Sequence, residues 1–215
     1  MSNIKKLPLS AMILMVVFSL AGIVSEEAAK LAPLTLLIGI VVFFITWKAE
    51  KAAGNGDGLD IRRVPEALKD KRVWFLIAMP SIMNLICYAL AKSLVPEFLV
   101  HLKERTGFLS FSQVALLIPE LIIAALGEEI AWRGFFQKQL TKACAFAPAL
   151  VVSSALFALC HLAQGNALVV LYDLLFIFIN AIFYGLIFRR TDNAYVSTLA
   201  HFAANLLGVI GLMLF

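Results

Sequence analysis

Leu126-Gly127-Glu128-Glu129-Ile130-Ala131-Trp132-Arg133 is the stretch whose reading decides the fold. The largely apolar run before the two acids, Val114 to Leu126, has 13 residues. About 20 are needed to cross a hydrocarbon core, so a spanning helix has to continue through both carboxylates. An acid at the centre of a membrane helix costs roughly 2.5–3.5 kcal/mol on insertion scales and by default marks function. The pair is therefore the first place to look for chemistry.

The rest of the chain supports a membrane setting. Of its 215 residues 62% are hydrophobic, against about 45–50% in soluble domains. Apolar runs at Leu9–Val24, Leu31–Trp47, Val73–Val95, Val114 to about Leu140, Ala143–Leu162, Leu168–Phe188 and Ala194–Phe215 predict an all-α, polytopic bundle of seven spans. The first run follows Lys5 and Lys6 but lacks a small-x-small cleavage site before Glu26, so it reads as a retained span. No repeat is evident, and one membrane domain over residues 1–215 is expected.

Lys and Arg are divided unevenly between the two sets of loops. The N-terminus, Lys48–Arg72, Arg133–Lys142 and Arg189-Arg190 hold 14 of the 18, and the opposite loops hold Lys30, Lys92, Lys103 and Arg105. The positive-inside rule places the N-terminus in the cytoplasm and residues 48–72 in a cytoplasmic loop, whose Ile61–Lys71 part reads as a surface helix. The net charge of +4 reflects this bias, so it points to anionic lipid headgroups and argues against nucleic acid as a partner. Cys87, Cys144 and Cys160 are odd in number and form no CxxC. They predict no disulfide framework and read as small core residues.

Helical phase assigns the acids different tasks. Glu129 and Arg133 are i and i+4 and share a face, whereas Glu128 points away from Arg133. Glu129 is expected to pair with Arg133 and Glu128 to stay free. A carboxylate left without a cation among apolar side chains is a candidate general base. An antiparallel hairpin with its turn at Cys144-Ala145, just before Pro148, sets Glu128 opposite His161. Equal depth with His201, about ten residues or 15 Å in from Arg190, then requires the hairpin tip, Phe135–Lys142, to project beyond the hydrocarbon. His201 and Asn205, again i and i+4, present an imidazole and an amide on one face of the last span.

Glu128-Glu129-x-x-x-Arg133, Phe157-x-x-x-His161 and His201-x-x-x-Asn205, complete and in this order, resemble the three motifs of the CAAX protease and bacteriocin-processing (CPBP, or Abi) family of intramembrane endopeptidases. The match covers residues 114–215, the expected catalytic core; the first three spans carry no recognised motif. The resemblance implies hydrolysis of peptide bonds in a cavity that opens toward the cytoplasm. By analogy Glu128 activates water with help from His161, His201 and Asn205 hold the developing oxyanion, and Glu129 with Arg133 orients the site. Family members have been described both as glutamate peptidases and as metalloproteases, and His161, His201 and Glu128 would make a zinc set with an open water position. The chain lacks His-Glu-x-x-His, and a ligating Glu128 could not easily serve as base. The metal-independent form, with no cofactor, is therefore expected.

Other patterns carry less. Gly54-Asn55-Gly56-Asp57 and Tyr172-Asp173 spell GxGD and YD of intramembrane aspartyl proteases, but in reversed order and with the first in a charged loop. Ser153 and Ser154 lack a Gly-x-Ser elbow and read as helix-packing residues. Glu120 and Asp173 are expected either in the same cavity or near the outer interface. Two competing function classes remain. One is a non-proteolytic bacteriocin-immunity or scaffold protein of the same family. The other is a proton-coupled transporter, disfavoured by the lack of inverted repeats. The chain's size and short loops predict a multi-pass protein of a bacterial cytoplasmic membrane acting on membrane-associated or apolar peptides.

Overall fold

The computed structural model describes residues 3–54, 56–107 and 114–214. Among these the architecture is all-helical: α1 (Asn3–Val24), α2 (Leu34–Ala52), α3 (Lys71–Leu94), α4 (Phe98–Arg105), α5 (Val114–Glu129), α6 (Phe146–Leu159), α7 (Ala167–Thr191) and α8 (Ala194–Leu214). Helix α5 continues without a break into a π-helix, Ile130–Gln137, and a last turn, Lys138–Leu140. Asn55 of the GxGD tetrad and Phe215 lie outside the described residues.

Among the described residues five stretches are long and apolar enough to cross a membrane: Leu7–Val24, Glu26–Ala52, Lys71–Leu94, Ala167–Thr191 and Ala194–Met213. Their exposed side chains, such as Leu9, Ile13, Leu37, Phe75 and Leu171, are apolar, as a lipid-facing surface requires. The two remaining expected spans are those that carry the first two motifs, and they depart from ideal helices. One turns π at Ile130. The other is cut to the 14 residues of Phe146–Leu159, about 21 Å against a core of about 30 Å. The hairpin turn falls where expected, with Ala145 at the cap of α6 and Pro148 in its first turn. Of its expected tip, Phe135, Phe136 and Gln137 are buried in the protein, and the part that reaches solvent begins at Lys138.

Helix α7 is central, packing on α3, α6, α8 and the π-helix, while the α1–α2 hairpin closes over the π-helix and α6. On α2 the buried stripe Thr35, Gly39, Val42, Phe43 and Thr46 has helical spacing. Gly39 is there because a Cβ at that position would lie 2.6 Å from Ala131 Cβ and 2.9 Å from its Cα. The two backbones thus approach through small residues, the usual solution where lipid removes the hydrophobic drive between helices.

The end of the bundle rich in Lys and Arg is cross-tied. Lys142 reaches Glu50 at 2.5 Å and Lys138 reaches Asp192 at 3.4 Å. Arg190 pairs with Asp70, which also caps α3 through Arg72 N–H. The Gly56–Asp60 loop folds over the α7–α8 turn, where Ala194 N–H donates to Gly58 and Asn193 Nδ2 to Asp60. Residues Ile61–Arg63 and Val64–Ala67 form the short surface helix expected after it. Its Val64, Ala67 and Leu68 pack on Val73, Tyr184 and Val196 of the bundle. All three cysteines are free, but Cys144 is exposed and so is not the core residue expected.

Asp57 anchors that loop by accepting from Trp47 Nε1 and Lys51 Nζ, both at 2.7 Å. Burial alone would raise its carboxyl, but the bonds from Lys51 and Trp47 outweigh burial and hold it below the ordinary range. A depressed folded value stabilises above the unfolded pKa of about 3.9 and stops doing so as pH falls through the folded value. Acid titration of Tm is expected to fall more steeply in this window for wild type than for Asp57→Asn. Gly39→Ala is expected to cost about 1–3 kcal/mol through overpacking against Ala131, read as a lowered Tm in detergent.

Candidate active site

The site is built on a carboxylate with no solvent exposure. Glu129, the last residue of α5, lies with Oε1 3.2 Å from Arg133 Nη1 and 2.9 Å from His201 Nδ1, and is 0% exposed. The first contact is the pair expected from helical phase, kept although the helix turns π one residue later. The second joins the first motif to the third and was not legible in the sequence, because nothing there fixes which helices adjoin.

Arg133 is held on every side. Its Nη2 donates to the Ala181 carbonyl at 3.1 Å, and its guanidinium lies over the rings of Phe157, 4.5 Å away, and Tyr184, 5.3 Å away. One turn on, Gln137 Nε2 donates to Gly185 O at 3.2 Å. Arg133 and Gln137 thus read the Ala181–Gly185 edge of α7, which works because these residues are small: a Cβ on Gly185 would meet Gln137 Oε1 at 2.5 Å and Leu150 Cδ1 at 2.3 Å. The same aromatic pair holds His201, which stacks on Tyr184 at 4.4 Å and meets Phe157 edge-on at 6.0 Å. Nothing in the sequence marks out Tyr184. Ser197, which interacts with Glu129, could have been found through its i, i+4 spacing to His201.

Tautomers follow from partners. His201 Nδ1 faces a carboxylate, which accepts, so Nδ1 carries a proton and Nε2 turns to Glu128 Oε2, 3.6 Å away. That separation is too long for a hydrogen bond. His161 lies just beyond the C-cap of α6 rather than inside a span, with Nδ1 2.9 Å from the Phe157 carbonyl. A carbonyl only accepts, so Nδ1 donates and Nε2 of the neutral ring keeps its lone pair.

Glu128, His161, His201 and Asn205 line one cavity of about 400 Å³, with Asn84, Tyr88, Arg105, Asp173 and Asn180 also in its wall. Glu129 and Arg133 lie behind it. Asp173, expected either in the same cavity or near the outer interface, lines the cavity, 2.8 Å from Arg105 Nε and 3.4 Å from His101 Nε2. His101 is buried on α4. The lining residues run from the middle of the bundle, where His201 lies seven residues from the α7–α8 turn, toward the end away from the cross-tied basic loops. Among the described residues no three His, Cys, Asp or Glu side chains are gathered as a metal ion needs.

The two acids should respond oppositely to substitution. Glu129→Gln or Arg133→Ala leaves a buried charge unpaired and is expected to cost about 3–5 kcal/mol. Glu128→Gln, part-exposed to the cavity, should leave stability within about 1 kcal/mol of wild type. Thermal unfolding of the purified variants measures the contrast.

No curated protein and no solved structure matches the chain. Residues 110–207 match the family described as type II CAAX prenyl endopeptidase Rce1-like, and this segment holds all three motifs and the four cavity-lining candidates. The protein is a multi-pass membrane protein whose residues 110–207, just under half of its length, are similar to this CAAX protease family.

Proposed function

We propose that the protein is an intramembrane endopeptidase in which Glu128 activates water against a peptide bond of a membrane-associated or apolar substrate. The observation that carries this reading is the convergence of Glu128, His161, His201 and Asn205 on one cavity, with Glu129 and Arg133 locked out of it. Glu128 takes a proton from water as the hydroxide adds to the carbonyl carbon, and His161 Nε2, an acceptor, helps hold that water. The oxyanion forms beside His201 and Asn205. With both His201 nitrogens protonated, the charges of Glu128, Glu129, Arg133 and His201 sum to zero, and Nε2–H can donate to the oxyanion. Glu128 then passes its proton to the departing amine nitrogen, which completes hydrolysis. We favour this metal-independent form, since Glu128 as a metal ligand could not easily serve as the base as well.

The membrane orientation and the number of spans belong to the same proposal. With the π-containing hairpin counted, seven spans place the N-terminus in the cytoplasm and the C-terminus outside. The cavity then faces away from the cytoplasm. The charge rule and the cytoplasmic opening implied by the family resemblance therefore cannot both hold, and we follow the charge rule because 13 of the 18 basic residues, all those counted on that side except the buried Arg133, lie at the cross-tied end. Cys144 is exposed at that end. A membrane-impermeant maleimide is expected to label it in inverted vesicles and not in intact cells; the reverse pattern restores a cytoplasmic opening.

Cleavage of a quenched fluorescent library of apolar-tailed peptides by purified protein tests the activity. Wild type should cleave, with or without chelator. Glu128→Ala and His161→Ala should each lose at least about a hundredfold, the scale of a missing acid–base group. Loss on chelation would move the mechanism to a metal. Biological activity retained by Glu128→Gln would instead mark the immunity or scaffold role.

A further inference from the structure

The cavity wall holds a polar group used by neither the motifs nor the proposed chemistry. Asn180, on α7, is 8% exposed and lines the cavity with Glu128, His201 and Asn205. Its Nδ2 donates to Asn84 Oδ1 at 2.8 Å, and Asn84 Nδ2 donates to the Ala204 carbonyl at 2.8 Å. The far end fixes the direction of this relay. A helix carbonyl can only accept, so Asn84 must turn its NH2 to Ala204 and its oxygen to Asn180, and Asn180 must answer with its own NH2. Asn180 Oδ1 is left over, buried and without a hydrogen-bond partner among the described residues.

A buried acceptor without a donor is unfavourable until a donor meets it. Other polar groups of the wall are already committed: Tyr88 OH donates to Gly208 O at 2.8 Å, and Arg105 pairs with Asp173. An apolar peptide brings few side-chain donors, but each of its non-proline residues brings a backbone N–H. We propose that Asn180 Oδ1 accepts a hydrogen bond from a backbone N–H of the bound peptide and so sets its register in the cavity. The relay ends on Ala204, between His201 and Asn205 in sequence, so the acceptor is tied to the same turn of α8 as the groups assigned to the oxyanion. This assignment rests on the protease reading.

The test uses full-length protein in detergent and a cleaved apolar peptide, remade with one backbone amide N-methylated at a time. Wild type should lose about tenfold in kcat/KM at one amide near the cleaved bond, the scale of one hydrogen bond to a buried acceptor. Asn180→Leu should lose about tenfold on the parent peptide, mainly in KM, and be indifferent to methylation at that amide. Asn180→Asp, whose protonated carboxyl offers the same donor and acceptor, should keep the wild-type pattern. If Asn180→Leu does not fold, Asn84→Leu, which frees the Asn180 amide to turn, should blunt the effect at the same amide. A wild-type methylation pattern in the folded Leu variant overturns the assignment while Glu128→Ala remains inactive. Cleavage by Glu128→Ala, or no cleavage of any peptide by wild type, removes the protease reading and this assignment together.

Discussion

A carboxylate sealed from solvent between a guanidinium and an imidazole is the constraint on which the surrounding structure depends. Ionised groups are tolerated in a low-dielectric interior only when paired and hydrogen-bonded, and each partner of Glu129 imposes a further requirement. Arg133 needs acceptors beyond Glu129 and takes the Ala181 carbonyl. That contact requires a close approach between the π-helix and α7, which small residues on α7 permit. The guanidinium faces that remain are covered by Phe157 and Tyr184, and the same two rings fix His201. One buried charge thus sets the spacing of three motif-bearing segments. Residues from all three motifs, Glu129 with Arg133, Phe157 and His201, meet in a core from which His201 alone of these also lines the cavity.

Adjacent residues of identical chemistry serve opposite ends. Glu129 faces inward into this locked set, while Glu128 lines the cavity with its nearest charged neighbour 3.6 Å away. What separates the two is direction along a helix, a matter of one residue's rotation. The pairing of two carboxylates in different environments is a recognised way to give one a structural or electrostatic task and leave the other chemically available.

Periodicity and spacing carried much of this, and the limits were physical. The i, i+4 relation of Glu129 to Arg133 is local, so it could be read; so could the hairpin turn, which Pro148 and the polar tip announce. The link from Glu129 to His201 spans 72 residues and depends on which helices adjoin, which no local pattern encodes. The π-helix was not legible either, because its residues keep an apolar, helix-compatible composition; it shows itself only in packing, with all eight residues buried. Asn84 and Asn180 read as ordinary span residues until their relay onto Ala204 is seen. Charge counting put residues 48–72, 138–142 and 189–190 at one end, where ion pairs join Glu50, Asp70 and Asp192 to Lys142, Arg190 and Lys138, but it also counted Arg133, which is buried in the core.

The early end of α6 follows from where the cavity lies. A helix of about 21 Å cannot cross the hydrocarbon, so the chain beyond Cys160 leaves helical geometry at depth. Irregular backbone there is stable only when it is buried in protein or lines a polar cavity. Both remedies are in use: the Phe157 carbonyl, left open by the helix end, accepts from His161 Nδ1, and residues Cys160 to Ala163 form part of the cavity wall. The bond that repairs the helix end also fixes the imidazole as the tautomer with a free Nε2. Shortening the helix, opening the cavity and preparing His161 as an acceptor are therefore one structural event, and a longer α6 would give up all three.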